Sequence, residues 1–182
     1  MKKITLLSLL TIVTASYSYD NYMKSSILYT MPNNIEGTNS GLSTTLDMKS
    51  GYALEVGFGS KISRNLAVEI QYTYDKANVK SYSSNIKVHS IFFNGVYNFN
   101  NTNSSMHPYI GLGVGAASYG DGSFTDEVFA YQGFTGISFD VDYNMETFIE
   151  YKYKDFSEVN LEGITYDNTG IHSVGFGLKS KF

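Results

Sequence analysis

The chain has no cysteine, no tryptophan and only 2 prolines among 182 residues. Without thiols there is no disulfide framework, no thiolate metal site and no cysteine nucleophile. Basic side chains are scarce too, with 13 Lys+Arg against 17 Asp+Glu and a net charge of -4. A nucleic-acid partner needs a basic face to neutralise phosphates, so no nucleic acid is expected. Long apolar runs are also missing. The longest, Ile4 to Val13, is about half of the roughly 20 residues that a helix needs to cross a bilayer. A membrane location for this chain therefore requires strands rather than helices.

What is plentiful is 17 Gly, 16 Tyr and 12 Phe. An aromatic fraction of 15% is far too high for a disordered chain, and the length suits one domain. The N-terminus stands apart. Met1-Lys2-Lys3 is a basic start, Ile4 to Val13 is uncharged, and small residues follow at Thr14, Ala15, Ser16 and Ser18. That order is the pattern of a secretory signal peptide. It predicts a leader over residues 1–18, cut near 15–18, and a folded domain over 19–182. No cysteine follows the apolar run, so no lipid-modified N-terminus is expected.

The rest of the chain alternates with a period of two. Tyr52, Leu54, Val56 and Phe58 oppose Ala53, Glu55, Gly57 and Gly59; Leu66, Val68, Ile70, Tyr72 and Tyr74 oppose Ala67, Glu69, Gln71 and Thr73. Further on, Ile91 and Phe93 oppose Phe92 and Asn94, and Ile110, Leu112 and Val114 oppose Tyr109, Gly111, Gly113 and Gly115. Phe129, Tyr131 and Ile137 oppose Ala130, Gln132 and Ser138, while Ile149 and Tyr151 oppose Glu150 and Lys152. Val174, Phe176 and Leu178 oppose Gly175, Gly177 and Lys179. Successive side chains of a strand point to opposite sides, so each segment has one apolar face and one small or charged face. With a first strand around Tyr22 to Thr30, whose two faces are both mixed, the pattern predicts eight strands.

The connections also follow a rhythm. Lys61 to Asn65, Asn100 to Ser105 and Asp142 to Asn144 are short; Met31 to Gly51, Asp75 to Asn85, Ser118 to Glu127 and Asp155 to Gly170 are long and polar. Short turns at one end, long loops at the other and an even strand number predict an all-β fold. It is an eight-stranded, antiparallel, up-and-down transmembrane β-barrel.

Which face is wet decides between this and a soluble ligand-binding barrel, secreted or periplasmic. If the apolar face points in, the glycines at 57, 59, 111, 113, 115, 175 and 177 point to solvent, where strand glycine is costly. If the glycines point in, they leave room for Glu55, Glu69, Gln71, Asn94, Glu150, Lys152 and Lys179 as a polar network in the lumen. Glu69 and Glu150 are then expected to face Lys152 and Lys179. The apolar exterior is at home only in lipid, and Tyr72, Tyr74, Tyr151 and Tyr153 fall where an interfacial girdle belongs. At the end of the chain, Val174, Phe176, Leu178 and Phe182 lie on one face, with Ser180 interrupting the row.

Gly51 to Tyr74 (GYALEVGFGSKISRNLAVEIQYTY) and Ile171 to Phe182 (IHSVGFGLKSKF) resemble strands of small bacterial outer-membrane proteins. The likeness is to the family of outer-membrane-protein β-barrel domains, akin to the OmpA transmembrane domain and OmpX. It implies insertion in the outer membrane of a Gram-negative-type envelope with both termini periplasmic. It also implies that Val174, Phe176, Leu178 and Phe182 serve as a C-terminal assembly signal. The partners so implied are outer-membrane lipid and the barrel-assembly machinery. The sequence shows no segment matching the peptidoglycan-binding domain of OmpA, so cell-wall anchoring is not expected.

An enzyme is not expected. The pairs His89-Ser90 and His172-Ser173 are neighbours along a strand, so each His and Ser point to opposite faces. The three histidines have no zinc spacing, Asp121 to Glu127 does not fit a calcium loop, and no metal or cofactor is expected. Eight strands leave an interior just wide enough to be filled by side chains. A small porin-like channel remains the alternative to a plugged lumen. The function expected is a structural or interaction role, with the long loops of a monomeric barrel presented to an extracellular ligand.

Overall fold

The computed structural model describes residues 20–39, 42–78, 85–99, 105–120, 125–157, 159–161, 164–167 and 170–182. The expected leader lies outside them. Among the described residues twelve strands run in chain order: β1 (Asn21–Pro32), β2 (Ile35–Asn39), β3 (Leu42–Leu46), β4 (Gly51–Lys61), β5 (Leu66–Asn78), β6 (Asn85–Asn98), β7 (Met106–Gly120), β8 (Thr125–Asp142), β9 (Met145–Phe156), β10 (Val159–Leu161), β11 (Ile164–Asp167) and β12 (Ile171–Lys181). Eight of them close into a barrel in the order β1-β12-β9-β8-β7-β6-β5-β4, and β4 pairs back onto β1. Every neighbouring pair is antiparallel. Closure matters because hydrocarbon offers no partner to an unpaired N–H or C=O. The last residue takes part, the Phe182 N–H donating to the Asn21 carbonyl at 3.0 Å.

Two of the short turns are held by local polar contacts. Asn65 and Asn98 clamp the β4–β5 turn to the end of β6 through Asn98 N–H to Asn65 O at 2.7 Å and Asn65 Nδ2 to Asn98 O at 2.7 Å. The β8–β9 turn is tight. Its Asp142 carboxylate accepts the Tyr143 N–H at 2.8 Å, and a register shift between Asp140 and Asp142 bends the strand into it.

The barrel is apolar outside and polar inside. Leu112 is 72% exposed and Phe176 64%, and Ile27, Leu54, Val114, Phe129 and Ile149 share that outer surface, while Lys152, Lys154, Asn94 and Thr73 are fully buried. A soluble barrel has the reverse arrangement, so the soluble reading fails. Charged side chains cannot stand in such a band, and a wall of this kind is stable only in lipid.

Three expectations change. β1 is longer than Tyr22 to Thr30, and its mixed faces resolve into Tyr22, Lys24, Leu28 and Thr30 buried against Met23, Ile27, Tyr29 and Met31 exposed. The segments 75–85 and 118–127 are not loose loops. β5, β6, β7 and β8 run on as paired strands through Asn78↔Asn85 and Gly120↔Thr125, and only the tips 79–84 and 121–124 lie outside the described residues. The longest connections are structured as well. β2, β3, β10 and β11 form a second, four-stranded sheet in the order β10-β11-β2-β3, with Tyr166↔Gly37 at the seam between the two connections.

Candidate functional site

The lumen holds a continuous hydrogen-bonded network. β1 supplies Lys24, whose Nζ donates to Glu150 Oε2 of β9 at 2.6 Å; Tyr109 of β7 donates to the same oxygen at 2.9 Å. Two residues along β9, Lys152 reaches Glu55 of β4 with 2.9 and 2.8 Å bonds and stands 3.2 Å from Glu150 Oε1. Glu55 also accepts from Ser26 at 3.1 Å and Thr73 at 3.3 Å. Thr73 accepts from Gln71, which in turn accepts from Asn94 at 3.0 Å and Gln132 at 3.2 Å. Asn94 and Tyr22 then close on Glu69, at 3.3 and 3.2 Å. Side chains from β1, β4, β5, β6, β7, β8 and β9 are thus tied across the lumen.

Three further ion pairs flank this belt. Toward the long-loop end, Lys154 holds Asp75 at 2.6 and 2.7 Å. At the turn end, Glu146 takes Lys179 at 3.2 Å and also Lys181. Lys24, Lys152, Lys154, Lys179 and Lys181 therefore pair with Glu55, Asp75, Glu146 and Glu150, while Glu69 is held by neutral hydrogen-bond donors. This matters because a buried charge without compensation is strongly destabilising. Aromatic rings cover the cations: Lys24 lies 4.6 Å from the Phe148 ring centre and Lys152 5.1 Å from that of Phe134.

Apolar plugs close both ends. Val88, Phe92, Ala117, Val128, Ala130, Phe156 and Ile171 pack at the loop end, and Tyr22, Ala67, Val96, Tyr109, Phe134 and Phe148 at the turn end. A cavity of about 20 Å³ remains between Tyr22, Lys24, Glu69, Asn98 and Lys179. That is room for about one water molecule.

The structure places Glu55, Glu69, Gln71, Asn94, Glu150, Lys152 and Lys179 on the inner side of the wall. It does not pair them as the sequence suggested. Glu150 does meet Lys152, but Glu69 is hydrogen-bonded by Tyr22 and Asn94 with no cation within ion-pair distance among the described residues. Lys179 turns instead to Glu146, one strand away along the pairing Lys179↔Glu146. Sequence reasoning missed Lys24, Asp75 and Glu146, and left Gln132 and Lys154 out of the network. Alternation around Tyr131 and Tyr151 already put the last two on the inner face; Lys24 was hidden by the mixed β1 pattern.

Val174, Phe176, Leu178 and Phe182 stand exposed on the outer wall. His89 and His172 face outward, while Ser90 and Ser173 are buried inside. Each of these two histidines meets a tyrosine, His89 Nδ1 at 2.7 Å from the Tyr72 hydroxyl and His172 Nδ1 at 2.8 Å from that of Tyr151. His107 Nε2 sits 2.9 Å from Asp140 Oδ2 near the turns. Among the described residues no group of acids and histidines is arranged to hold a metal ion. Asp121 to Phe124 of the acidic loop lie outside those residues.

The chain matches the outer membrane protein β-barrel domain family over residues 5–182. No curated protein matches it. Among solved structures it is similar to Neisserial surface protein A, with 23% identity and a TM-score of 0.66 over 89% of this chain and 97% of that one. It is similar to the outer membrane protein OprG of Pseudomonas aeruginosa, with 18% identity and a TM-score of 0.66 over 89% and 96%. The outer membrane enzyme PagL shares the fold at 14% identity, with a TM-score of 0.53 over 87% and 98%. At these identities the likeness is one of fold.

Proposed function

The chain belongs to the outer membrane protein β-barrel domain family, and from that premise we propose that it is a plugged, non-catalytic barrel that presents a recognition sheet at the cell surface. The barrel spans the outer membrane with its termini and short turns on the periplasmic side. The sheet β10-β11-β2-β3 stands at the opposite end and is the recognition surface, in an adhesive, envelope-maintaining or antigenic role. The observation that carries this reading is the division of the molecule. Its interior is filled by a hydrogen-bonded network of charged and polar side chains and two apolar clusters, whereas its longest connections are folded into a sheet beyond the barrel. Closure leaves no barrel edge for a second copy, which supports a monomer. His89 and His172 point away from Ser90 and Ser173, which supports a non-catalytic role.

Because the chain has no cysteine, single cysteines report sidedness cleanly. Lys49→Cys, exposed in the connection between β3 and β4, is expected to react with a membrane-impermeant maleimide on intact cells. Ser63→Cys in the β4–β5 turn is expected to react only after the outer membrane is permeabilised; the opposite pattern refutes the orientation.

The plug has its own test. In planar bilayers the purified protein is expected to show no stable conductance steps, since the lumen side chains are tied into ion pairs and hydrogen bonds across the barrel. Reproducible single-channel steps would favour the porin-like alternative and end the plugged reading.

A further inference from the structure

On the outer face of the β5–β6 hairpin two lysines stand directly opposite each other. Lys76 and Lys87 are register partners, and both point outward, because Asp75, Ala77 and Val88 beside them are buried. Side chains so placed have Cβ atoms about 4.5–5.5 Å apart, and like charges there repel. Among the described residues neither lysine has a carboxylate within ion-pair distance. The next outward pair toward the membrane is Tyr74↔His89, with ring centres 5.0 Å apart. His89 Nδ1 is occupied by the Tyr72 hydroxyl at 2.7 Å, so Nε2 is the nitrogen left for an outside partner. Below lie Tyr72 and Ile91, exposed on the lipid face.

A second wall of the barrel repeats the lower half of this arrangement. On β9 and β12, Tyr151 holds His172 Nδ1 at 2.8 Å, and Tyr153 lies 4.8 Å from the His172 ring centre. There the next outward residue is Asp155, which already accepts from Tyr131 at 2.7 Å and Tyr153 at 3.3 Å. The same tyrosine–histidine unit is thus satisfied internally on one wall, and on the other it carries two cations that meet no carboxylate among the described residues. The acid nearest the cationic cluster on its own row is Glu127, opposite Ser118, which is in turn opposite His89. Two strand spacings put it about 10 Å away, too far to pair with His89.

We propose that Lys76, Lys87 and His89 seat a phosphate carried by a lipid of the outer leaflet. Two ammonium groups and a ring N–H supply charge-assisted donors, and the apolar wall below them receives the acyl chains. That continuity of apolar wall and cationic rim fits a lipid rather than a free anion. The leaflet follows from the orientation proposed above, on which this inference rests.

The test is native mass spectrometry of the refolded full chain in detergent, with diphosphorylated lipid A as probe and its dephosphorylated form as reference. Heat-modifiable gel mobility confirms folding of each variant. The wild type is expected to retain one phosphorylated lipid, and Lys76→Gln with Lys87→Gln to weaken retention about tenfold or more. His89→Leu should weaken it several-fold, and His172→Leu, on the matching wall, should leave it unchanged. Equal retention of the dephosphorylated lipid, or equal loss in His172→Leu, overturns the seat. So does displacement of the lipid by an equal concentration of inorganic phosphate. In detergent the result does not depend on which way the barrel faces. Failure here therefore condemns the seat, while reversed cysteine labelling condemns the orientation.

Discussion

Lys152→Met is expected to destabilise the barrel by about 3–5 kcal/mol, the usual cost of stripping one partner from a buried ion pair. Lys152 is fully buried and serves two carboxylates, Glu55 through both oxygens and Glu150 at 3.2 Å. Methionine fills much of the same volume, so the loss is one of charge rather than packing. Glu150 keeps Lys24 and Tyr109, but Glu55 is left with only the hydroxyls of Ser26 and Thr73. A desolvated carboxylate held by two neutral donors is poorly compensated. Changing Glu55→Gln in the same protein should therefore recover most of the loss, because the amide no longer needs a cation. Lys61→Met is the control. Its partner Asp20 is 61% exposed and 3.5 Å away, and such surface pairs are worth no more than about 1 kcal/mol. Urea titration of vesicle-inserted protein, followed by far-UV circular dichroism in the absence of tryptophan, measures all three variants. Equal stability of Lys152→Met and wild type would mean that the lumen charges do not hold the fold.

The wall of the barrel was legible in the sequence because it is a local signal. Leu54, Val56 and Phe58 alternate with Glu55 and Gly57 over a span that needs no distant information, and the lipid face selects the register. The polarity of the interior was legible for the same reason. Its pairing was not. Glu69 and Lys179 have the right charges to meet, but the stagger of the strands sends Lys179 to Glu146 and leaves Glu69 with Tyr22 and Asn94. The outer sheet was hidden for a different cause. Tyr166 and Gly37 pair across most of the chain, and the participating strands are only 3 to 5 residues long. Segments so short, rich in Gly, Asn and Thr, read as loops until the barrel brings them together.

Gly115→Val is expected to damage the wall severely, costing about 4 kcal/mol or more and leaving most of the protein without the heat-modifiable folded form. Valine is otherwise a better strand former than glycine, so propensity alone predicts a gain. Geometry decides against it. A Cβ at Gly115 would run into the Ile91 carbonyl oxygen and come within 2.9 Å of Phe92 Cα. Both are backbone atoms of β6 that cannot yield without breaking the β6–β7 ladder, in which Gly115 is registered on Phe92. The inward glycines are thus of two kinds. Gly113 gives space to a side chain, with Asn94 Oδ1 in the place of its missing Cβ, as the lumen network requires. Gly115 gives space to the neighbouring strand itself, which a narrow barrel needs in order to coil. Gly95 is the contrast on the adjacent strand: it is exposed, and a Cβ there meets nothing within 4 Å. Gly95→Val should stay within about 0.5 kcal/mol of the wild type or exceed it. If both variants refold to the same extent, close strand approach is not what places glycine at position 115, and the coiling of β6 against β7 is looser than these contacts require.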